Sequence, residues 1–320
     1  MKVLVVGLGS IGLRHARNLK ALGIDQIIGC DPKMDRRLAF SAEISDNAFV
    51  VLSAALEQSP DLVIIASPNR LHISQALLAA QRGAHLMIEK PLGSDLKGLL
   101  ELKREVARQS LFCHIGSNWK FYPAFSAMKT ILEKATIGPL AGIQVLAGHW
   151  LPDWHPERDY RQEYSARHDL GGGIILDTHE IDCMAWLCGP VTSSMGLSAQ
   201  TGFLETSTED VAAIALKFLG GVIGTLQIDY IQRVPRRRYN ICGRDGTLEW
   251  ELGEPLKLYK ADQGEWVDIP GTLEADYNKM YLLQMQNVLS GVRNGGVPVT
   301  SLEHAENVLS TQLNLRDNAS

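Results

Sequence analysis

Along the first third of the chain, short apolar runs alternate with longer stretches in which apolar residues recur every three or four positions. The runs lie at 3–6, 26–31, 62–66, 85–88 and 111–115, and helical spacing follows Gly12 to Leu22 and fills 69–82 and 96–108. Unbroken apolar runs mark strands covered on both faces. Helices of this length between them are crossovers, so the pattern predicts a doubly wound parallel sheet. After Gly116 the alternation stops. Lys120-Phe121-Tyr122-Pro123 leads into a helix to about Lys134, and Gly138-Pro139 turns the chain into a strand through His149. From Thr192 the pattern is strand after strand, at 193–200, 210–219, 222–231, 237–242, 247–252 and 256–260. Gly220-Gly221, Gly243-Arg244-Asp245-Gly246 and Gly253-Glu254 separate them, which is turn chemistry for an antiparallel meander. Amphipathic helices at 276–289 and 301–313 follow.

The fold this predicts is α/β. A doubly wound sheet fills 1–117, and 118–320 forms an α/β domain with an open, mostly antiparallel sheet. A length of 320 residues suffices for two cores. The chain is 45% hydrophobic and 21% charged, which is ordinary for a soluble globular protein. A formal charge of −5 provides no basic field, which argues against nucleic acid or an anionic membrane as main partner. The five cysteines show no C-x-x-C spacing, so neither a zinc site nor a disulfide framework is expected, and a reducing, cytoplasmic location is. Glycines break the apolar opening MKVLVVGLGSIGLRH, unlike a secretory signal. Lys217 and Gly220-Gly221 interrupt the apolar stretch 211–226, unlike a membrane span.

Chemistry enters at Gly7-Leu8-Gly9-Ser10-Ile11-Gly12, which follows a strand and opens a helix. Gly7 permits the turn, Gly9 lets a pyrophosphate approach the backbone, and Gly12 lets helix and strand pack. The helix start at Ser10 and Ile11 offers unpaired N–H groups to the phosphates. Asp31 stands about 20 residues further on, where a carboxylate binds the adenosine ribose hydroxyls. Its charge favours NAD. Lys33, Arg36 and Arg37 could offset that charge, so NADP stays open, although these residues also read as a solvated helix start.

Ligands of such sheets bind beyond the carboxyl ends of the strands, where Ser67-Pro68-Asn69 and Glu89-Lys90-Pro91 lie. Lys90 there can hydrogen-bond a substrate oxygen and stabilise a developing alkoxide; the bland alternative is a surface Glu–Lys pair. The segment 150–169 is rich in Trp, His, Tyr and Arg, which suit a sugar ring and its hydroxyls. Its length favours a functional loop over one merely tied down by Trp150 and Trp154. Arg233, Arg236, Arg237 and Arg238 either meet a diphosphate or form the solvent side of a strand, and the second is favoured. His149, His155, His168 and His179 are scattered and His179-Glu180-Ile181-Asp182 is not H-E-x-x-H, so no metal site is predicted.

Together GLGSIGLRH, ASPNRLH, the strand-end EKP and GGG-x-x-x-D followed by HEID resemble the Gfo/Idh/MocA oxidoreductases. The resemblance implies a Rossmann domain, then a domain whose open sheet supports the substrate site and often an oligomer interface, here a homodimer or homotetramer. It implies a nicotinamide cofactor and a sugar or cyclic-polyol substrate. Carried over, the catalytic residues are Lys90 and His179, and Gly7, Gly9, Gly12, Asp31, Ser67, Asn69, His72, Glu89 and Lys90 contact the cofactor. Substrate contacts are expected from Lys120, Tyr122, Trp154, His155, Tyr160, Arg161 and His179. The segment 150–167 is similar to a branch associated with surface-polysaccharide or sialic-acid-like sugars. The activity implied is hydride transfer, with His179 as general base, Lys90 holding the oxygen and Glu89 orienting Lys90. Two rivals share the fold: a non-catalytic sugar sensor, and a glycosidase working around a tightly held NAD.

Asp177 is ambiguous. Counted from the three glycines it is the family's catalytic aspartate; counted back from His179 that place falls on Ile175. Asp177 with Glu180 also resembles a capping box, so cap and substrate contact both stand. In either case His179, Asp182, Cys183 and Trp186 share one helix face.

Overall fold

The structure is a computed structural model that describes residues 1–318. The chain divides into two compact units, Met1–Asn118 with Asn278–Glu306, and Trp119–Tyr277 with the remainder.

The first unit alternates β1 (Lys2–Val6), α1 (Ser10–Ala21), β2 (Gln26–Cys30), α2 (Met34–Glu43), β3 (Ala48–Phe49), α3 (Leu52–Leu56), β4 (Leu62–Ile65), α4 (His72–Gln81), β5 (His85–Ile88), α5 (Leu99–Arg108) and β6 (Cys113–Ile115). The sheet order is β3-β2-β1-β4-β5-β6 and every pairing is parallel. The order reverses at β1, so a crevice opens beyond its carboxyl end between β2 and β4. α5 starts three residues later than its periodicity predicts. Gly98 before it sits at φ 82°, a left-handed conformation outside the helix.

The second unit contains α6 (Pro123–Glu133), β7 (Leu140–Gly148), α7 (Ile174–Asp177), α8 (Glu180–Cys188), β8 (Val191–Ala199), β9 (Val211–Phe218), β10 (Ile223–Asp229), β11 (Arg236–Gly243), β12 (Gly246–Glu251), β13 (Lys257–Lys260) and β14 (Glu265–Asp268). The sheet order is β14-β13-β12-β11-β7-β10-β9-β8. Only β7–β10 is parallel; the other pairings are antiparallel, β7–β11 between strands distant in the chain and the rest between consecutive strands. Burial alternates along β9 and β10, so one face joins the core through Ile214, Leu216, Leu226 and Ile228. The other face is open and leaves Met195 72% and Leu197 67% exposed.

The last helices are α9 (Asn278–Asn294) and α10 (Leu302–Asn318). The sequence reading places all of 118–320 in one domain, whereas α9 lies in the first unit. Met285, Val288 and Leu289 of α9 join Val3, Val5, Leu19 and Phe112 in one core cluster. Burying three such side chains contributes roughly 1.5–3 kcal/mol each, which holds the helix there.

Candidate functional site

The glycine turn has the shape a dinucleotide needs. Gly7 has φ 87°, and a Cβ on it would lie 2.6 Å from the Ala66 carbonyl. A Cβ on Gly12 would fall 1.8 Å from the Gly7 oxygen, so helix and turn pack at a distance only glycine allows. Gly9 differs: its Cβ would meet nothing closer than the Arg36 guanidinium at 3.6 Å. Its bare backbone leaves open the surface that a pyrophosphate would occupy. α1 begins at Ser10 and Ile11 with no side-chain cap and no acidic residue in its first turn, so its positive end is left for an anion. Asp31 is buried at the end of β2. Oδ2 accepts from Leu8 N–H at 2.8 Å and faces Arg36 Nη1 at 3.3 Å, while Oδ1 accepts from Lys33 N–H at 2.8 Å. A carboxylate has about four acceptor positions, so capacity for ribose hydroxyls remains. These residues fit a nicotinamide dinucleotide.

The carboxyl end of β5 is built around Glu89. His15, fully buried on α1, places Nε2 2.7 Å from the Glu89 carboxylate. Gly116 makes room for that carboxylate, since a Cβ there would lie 2.9 Å from it. The Tyr281 ring of α9 meets His15 edge-on at 6.1 Å and carries the Arg14 guanidinium at 4.7 Å. Burial pushes the Glu89 carboxyl up, but the His15 hydrogen bond and the charges of His15, Lys90 and His72 outweigh it and hold the group below its ordinary value. Lys90 follows, half-buried. His72 straps this end to the neighbouring strand end, with Nδ1 2.8 Å from the Pro91 carbonyl and Nε2 2.7 Å from that of Ser67. Burial lowers its pKa, and the two carbonyls offset this only in part. Ser67 donates to Gln75, and buried Asn69 opens the turn before α4.

In the second unit Asp177 is not a helix cap. It is the last residue of α7, and its buried carboxylate accepts from the hydroxyls of Tyr164, Ser165 (2.8 Å) and Tyr230 (3.1 Å). Glu180 does not reach back to it. Its carboxylate takes Arg237 Nε at 2.6 Å and the Thr178 hydroxyl, and that hydroxyl accepts from Glu180 N–H. His179 stands half-buried at the N-cap of α8. One turn on, Asp182 receives the enclosed Lys120 ammonium at 2.8 Å, which also lies 5.9 Å from the Trp186 ring. Tyr122 is 1% exposed, inside an aromatic cluster with Trp119, Phe125 and Trp250, and its hydroxyl bonds the Glu274 backbone. That enclosure gives it no surface for a substrate. Lys120, 2% exposed, is enclosed in the same way, and the sequence carries no sign that either side chain turns inward.

The segment 150–169 folds as single-turn helices at Leu151–Trp154, Tyr160–Gln162, Tyr164–Ala166 and His168–Leu170. Trp154 packs edge-on against Tyr230 and near His149. His155 is exposed; Arg161 pairs with Asp159 and Glu205, and the Tyr160 hydroxyl accepts from Glu205 N–H. The arginine cluster is not uniformly a solvent face. Arg236 and Arg238 are exposed and paired with Glu251 and Glu249, but Arg237 turns inward over the Trp119 ring at 3.9 Å to reach Glu180. His15, Tyr281 and Tyr230 escape sequence reasoning, and Arg237 enters it only as one of a cluster read as solvent-facing. The only trace of His15 is its place in GLGSIGLRH. Among the described residues, no three His, Cys, Asp or Glu side chains gather as a metal site, and no helix is long and apolar enough to cross a membrane.

Comparison with known proteins agrees with this architecture. Residues 1–117 match the model of an oxidoreductase family with an NAD-binding Rossmann fold, and 125–249 match the GFO/IDH/MocA C-terminal domain. The scyllo-inositol 2-dehydrogenase (NAD(+)) of Bacillus subtilis is 24% identical over 93% of this chain and 87% of its own length. The UDP-N-acetylglucosamine 3-dehydrogenase of Acidithiobacillus ferrooxidans is 27% identical over 85% and 80%. An oxidoreductase from Agrobacterium radiobacter, solved with NAD+, L-tartaric acid and magnesium, superposes with TM-score 0.87 at 18% identity over 100% of this chain and 96% of that one. Together the two matches cover most of the chain, and it belongs to the Gfo/Idh/MocA family of NAD-binding oxidoreductases.

Proposed function

We propose that this protein is an NAD-dependent dehydrogenase that reversibly oxidises a carbinol carbon of a sugar, sugar derivative or cyclic polyol. NAD, when bound, supplies the hydride acceptor. Gly7, Gly9 and Gly12, with the N–H groups at Ser10 and Ile11, hold its pyrophosphate, and Asp31 holds its adenosine ribose. Lys90 donates to the substrate oxygen and offsets the charge that grows there as the proton leaves. Glu89, fixed by His15, sets the backbone from which Lys90 projects. His179 accepts the hydroxyl proton, a task suited to an imidazole near neutral pH. The observation that carries this reading is the joint presence, on one sheet, of the open Gly9 surface with Asp31 and of Lys90 beside an anchored carboxylate.

The test is NADH absorbance with the purified protein across free sugars, inositols and nucleotide sugars. Steady NADH formation with one class supports the reading. Glycoside cleavage without net NADH would instead show an enzyme that recycles a held cofactor, and sugar binding without turnover would show a sensor.

For partners, we propose a second copy of the chain on the open sheet face. Met195 and Leu197, exposed on the edge strand β8, stand there beside Ala213 and Ala215, so this edge of the face is apolar. Light scattering on wild type and Leu197→Lys tests this: an oligomer that falls to monomer in the variant is expected, and a monomeric wild type would refute it.

A further inference from the structure

We propose that Arg233, seated on the face of Trp150, receives an oxyanion carried by the substrate, so that the sugar acted on is an anionic one. This deepens the dehydrogenase reading and rests on it for the word substrate.

Of the four arginines around Pro235, three are answered by carboxylates: Arg236 by Glu251, Arg237 by Glu180 and Arg238 by Glu249. Arg233 has no such partner among the described residues. Its guanidinium carbon instead lies 3.5 Å from the centroid of the Trp150 ring. Stacking uses the face of the guanidinium and leaves its in-plane N–H donors at the edge, in the fork that matches a phosphate or carboxylate. The charge is therefore held in place while its hydrogen-bonding capacity stays unspent.

Both members of the stack are fixed to the same end of the sheet. Asp229, buried at the end of β10, accepts the N–H groups of Ile231 and Gln232 at 3.0 and 2.9 Å and the Gln232 amide at 3.1 Å. Gly148, at the end of β7, makes this possible: a Cβ there would lie 2.7 Å from Asp229 Oδ1 and 2.8 Å from Gln232 Cγ. Trp150 follows two residues later, and Leu151 N–H donates to the Tyr230 carbonyl at 3.0 Å. Arg233 itself is exposed, and its stack on Trp150 is formed in the fold before an anion arrives, which lowers the entropy lost when one binds.

The same strand ends lead to the proposed reaction residues. Tyr230, three residues before Arg233, donates to Asp177, and Asp177 is two residues from His179. Trp154, four residues after Trp150, packs edge-on against Tyr230. An oxyanion on Arg233 would sit on the scaffold that holds Asp177.

Phosphomonoester, nucleoside diphosphate and uronate carboxylate share this chemistry, and one substrate panel separates them. NAD-loaded wild type, Arg233→Ala and Arg233→Lys are assayed with a sugar 1-phosphate, a UDP-sugar, a uronic acid and the matching uncharged sugar. The expected result is that one charged member is preferred. Its KM should rise roughly 10- to 100-fold in Arg233→Ala, the range for a charge-assisted hydrogen bond. Lysine, which keeps the charge but loses the fork, should restore this only in part. The wild-type KM should also climb with salt, and the alanine variant should lose that slope. Preference for the uncharged sugar, or an unchanged KM for the charged one in Arg233→Ala, overturns the proposal. If no compound yields NADH, calorimetric titration of the same panel still decides: charge-dependent binding lost in Arg233→Ala upholds the anion site while the dehydrogenase reading fails, and binding indifferent to charge overturns it.

Discussion

His15 Nε2 lies 2.7 Å from the Glu89 carboxylate, with the histidine fully buried on the first helix and the glutamate 74 positions later in the chain. A pair of this kind is costly to break from one side, because the remaining carboxylate keeps its burial and loses its partner. His15→Ala should lower unfolding stability by about 3 kcal/mol, read as a shift in urea midpoint. It should also lower turnover if Lys90 depends on this anchor. His15→Gln, which can still donate, should recover much of both. Equal loss in the two variants would show that the contact is ordinary packing.

The same pair predicts how stability responds to acid. Glu89 titrates below its ordinary value in the folded chain. Its contribution is therefore complete above the unfolded value, about 4.3, and is lost as pH falls through the lower folded value. Urea titrations carried below the unfolded value, about 4.3, should show a loss of stability with falling pH that is smaller in Glu89→Gln. An identical slope in the two proteins would remove Glu89 from the acid response.

Asp177 binds the loop 150–169 to the sheet through three hydroxyls. Asp177→Ala strips an acceptor from each, at about 1 kcal/mol or more per buried donor. Hydrogen exchange should accelerate around Tyr164 and Ser165, while α8 amides stay protected. Exchange confined to the first turn of α8 would restore the capping role.

His179→Ala should reduce kcat about 10²- to 10⁴-fold, the usual range for a general base, with NAD affinity nearly unchanged in a fluorescence titration. Retained turnover would take it out of the mechanism.

Asp31 meets backbone N–H groups and Arg36. NAD should therefore bind more tightly than NADP, whose extra phosphate the carboxylate repels. Asp31→Ser should weaken NAD about tenfold and narrow the gap. An NADP preference in the wild type would mean that Arg36 and Arg37 control the pocket instead.

Much of the first unit was legible because parallel strands buried on both faces leave continuous apolar runs, as Leu62–Ile65 does. β14 was not, since all four of its residues are exposed and nothing in its pattern marks a face. The glycines and Asp31 could be assigned because a local turn dictates their spacing. Asp177 could not: its partners sit 13, 12 and 53 residues away, and no helical or strand period relates them. Arg237 fell into a run of arginines whose composition suggests solvent, yet strand alternation turns it to the opposite side from Arg236 and Arg238. Spacing reveals what the backbone imposes locally and is silent on which distant side chain completes a buried charge.

The position of α9 bears on how the protein is made. When the first 118 residues have left the ribosome, the whole parallel sheet has been synthesised, but the helix carrying Met285, Val288 and Leu289 has not. The nascent sheet must wait with Val3, Val5 and Phe112 short of their cover while residues 119–277 are translated. During that interval the chain is a natural client for a chaperone that shields apolar surface. A gene cut after residue 118 would freeze it there.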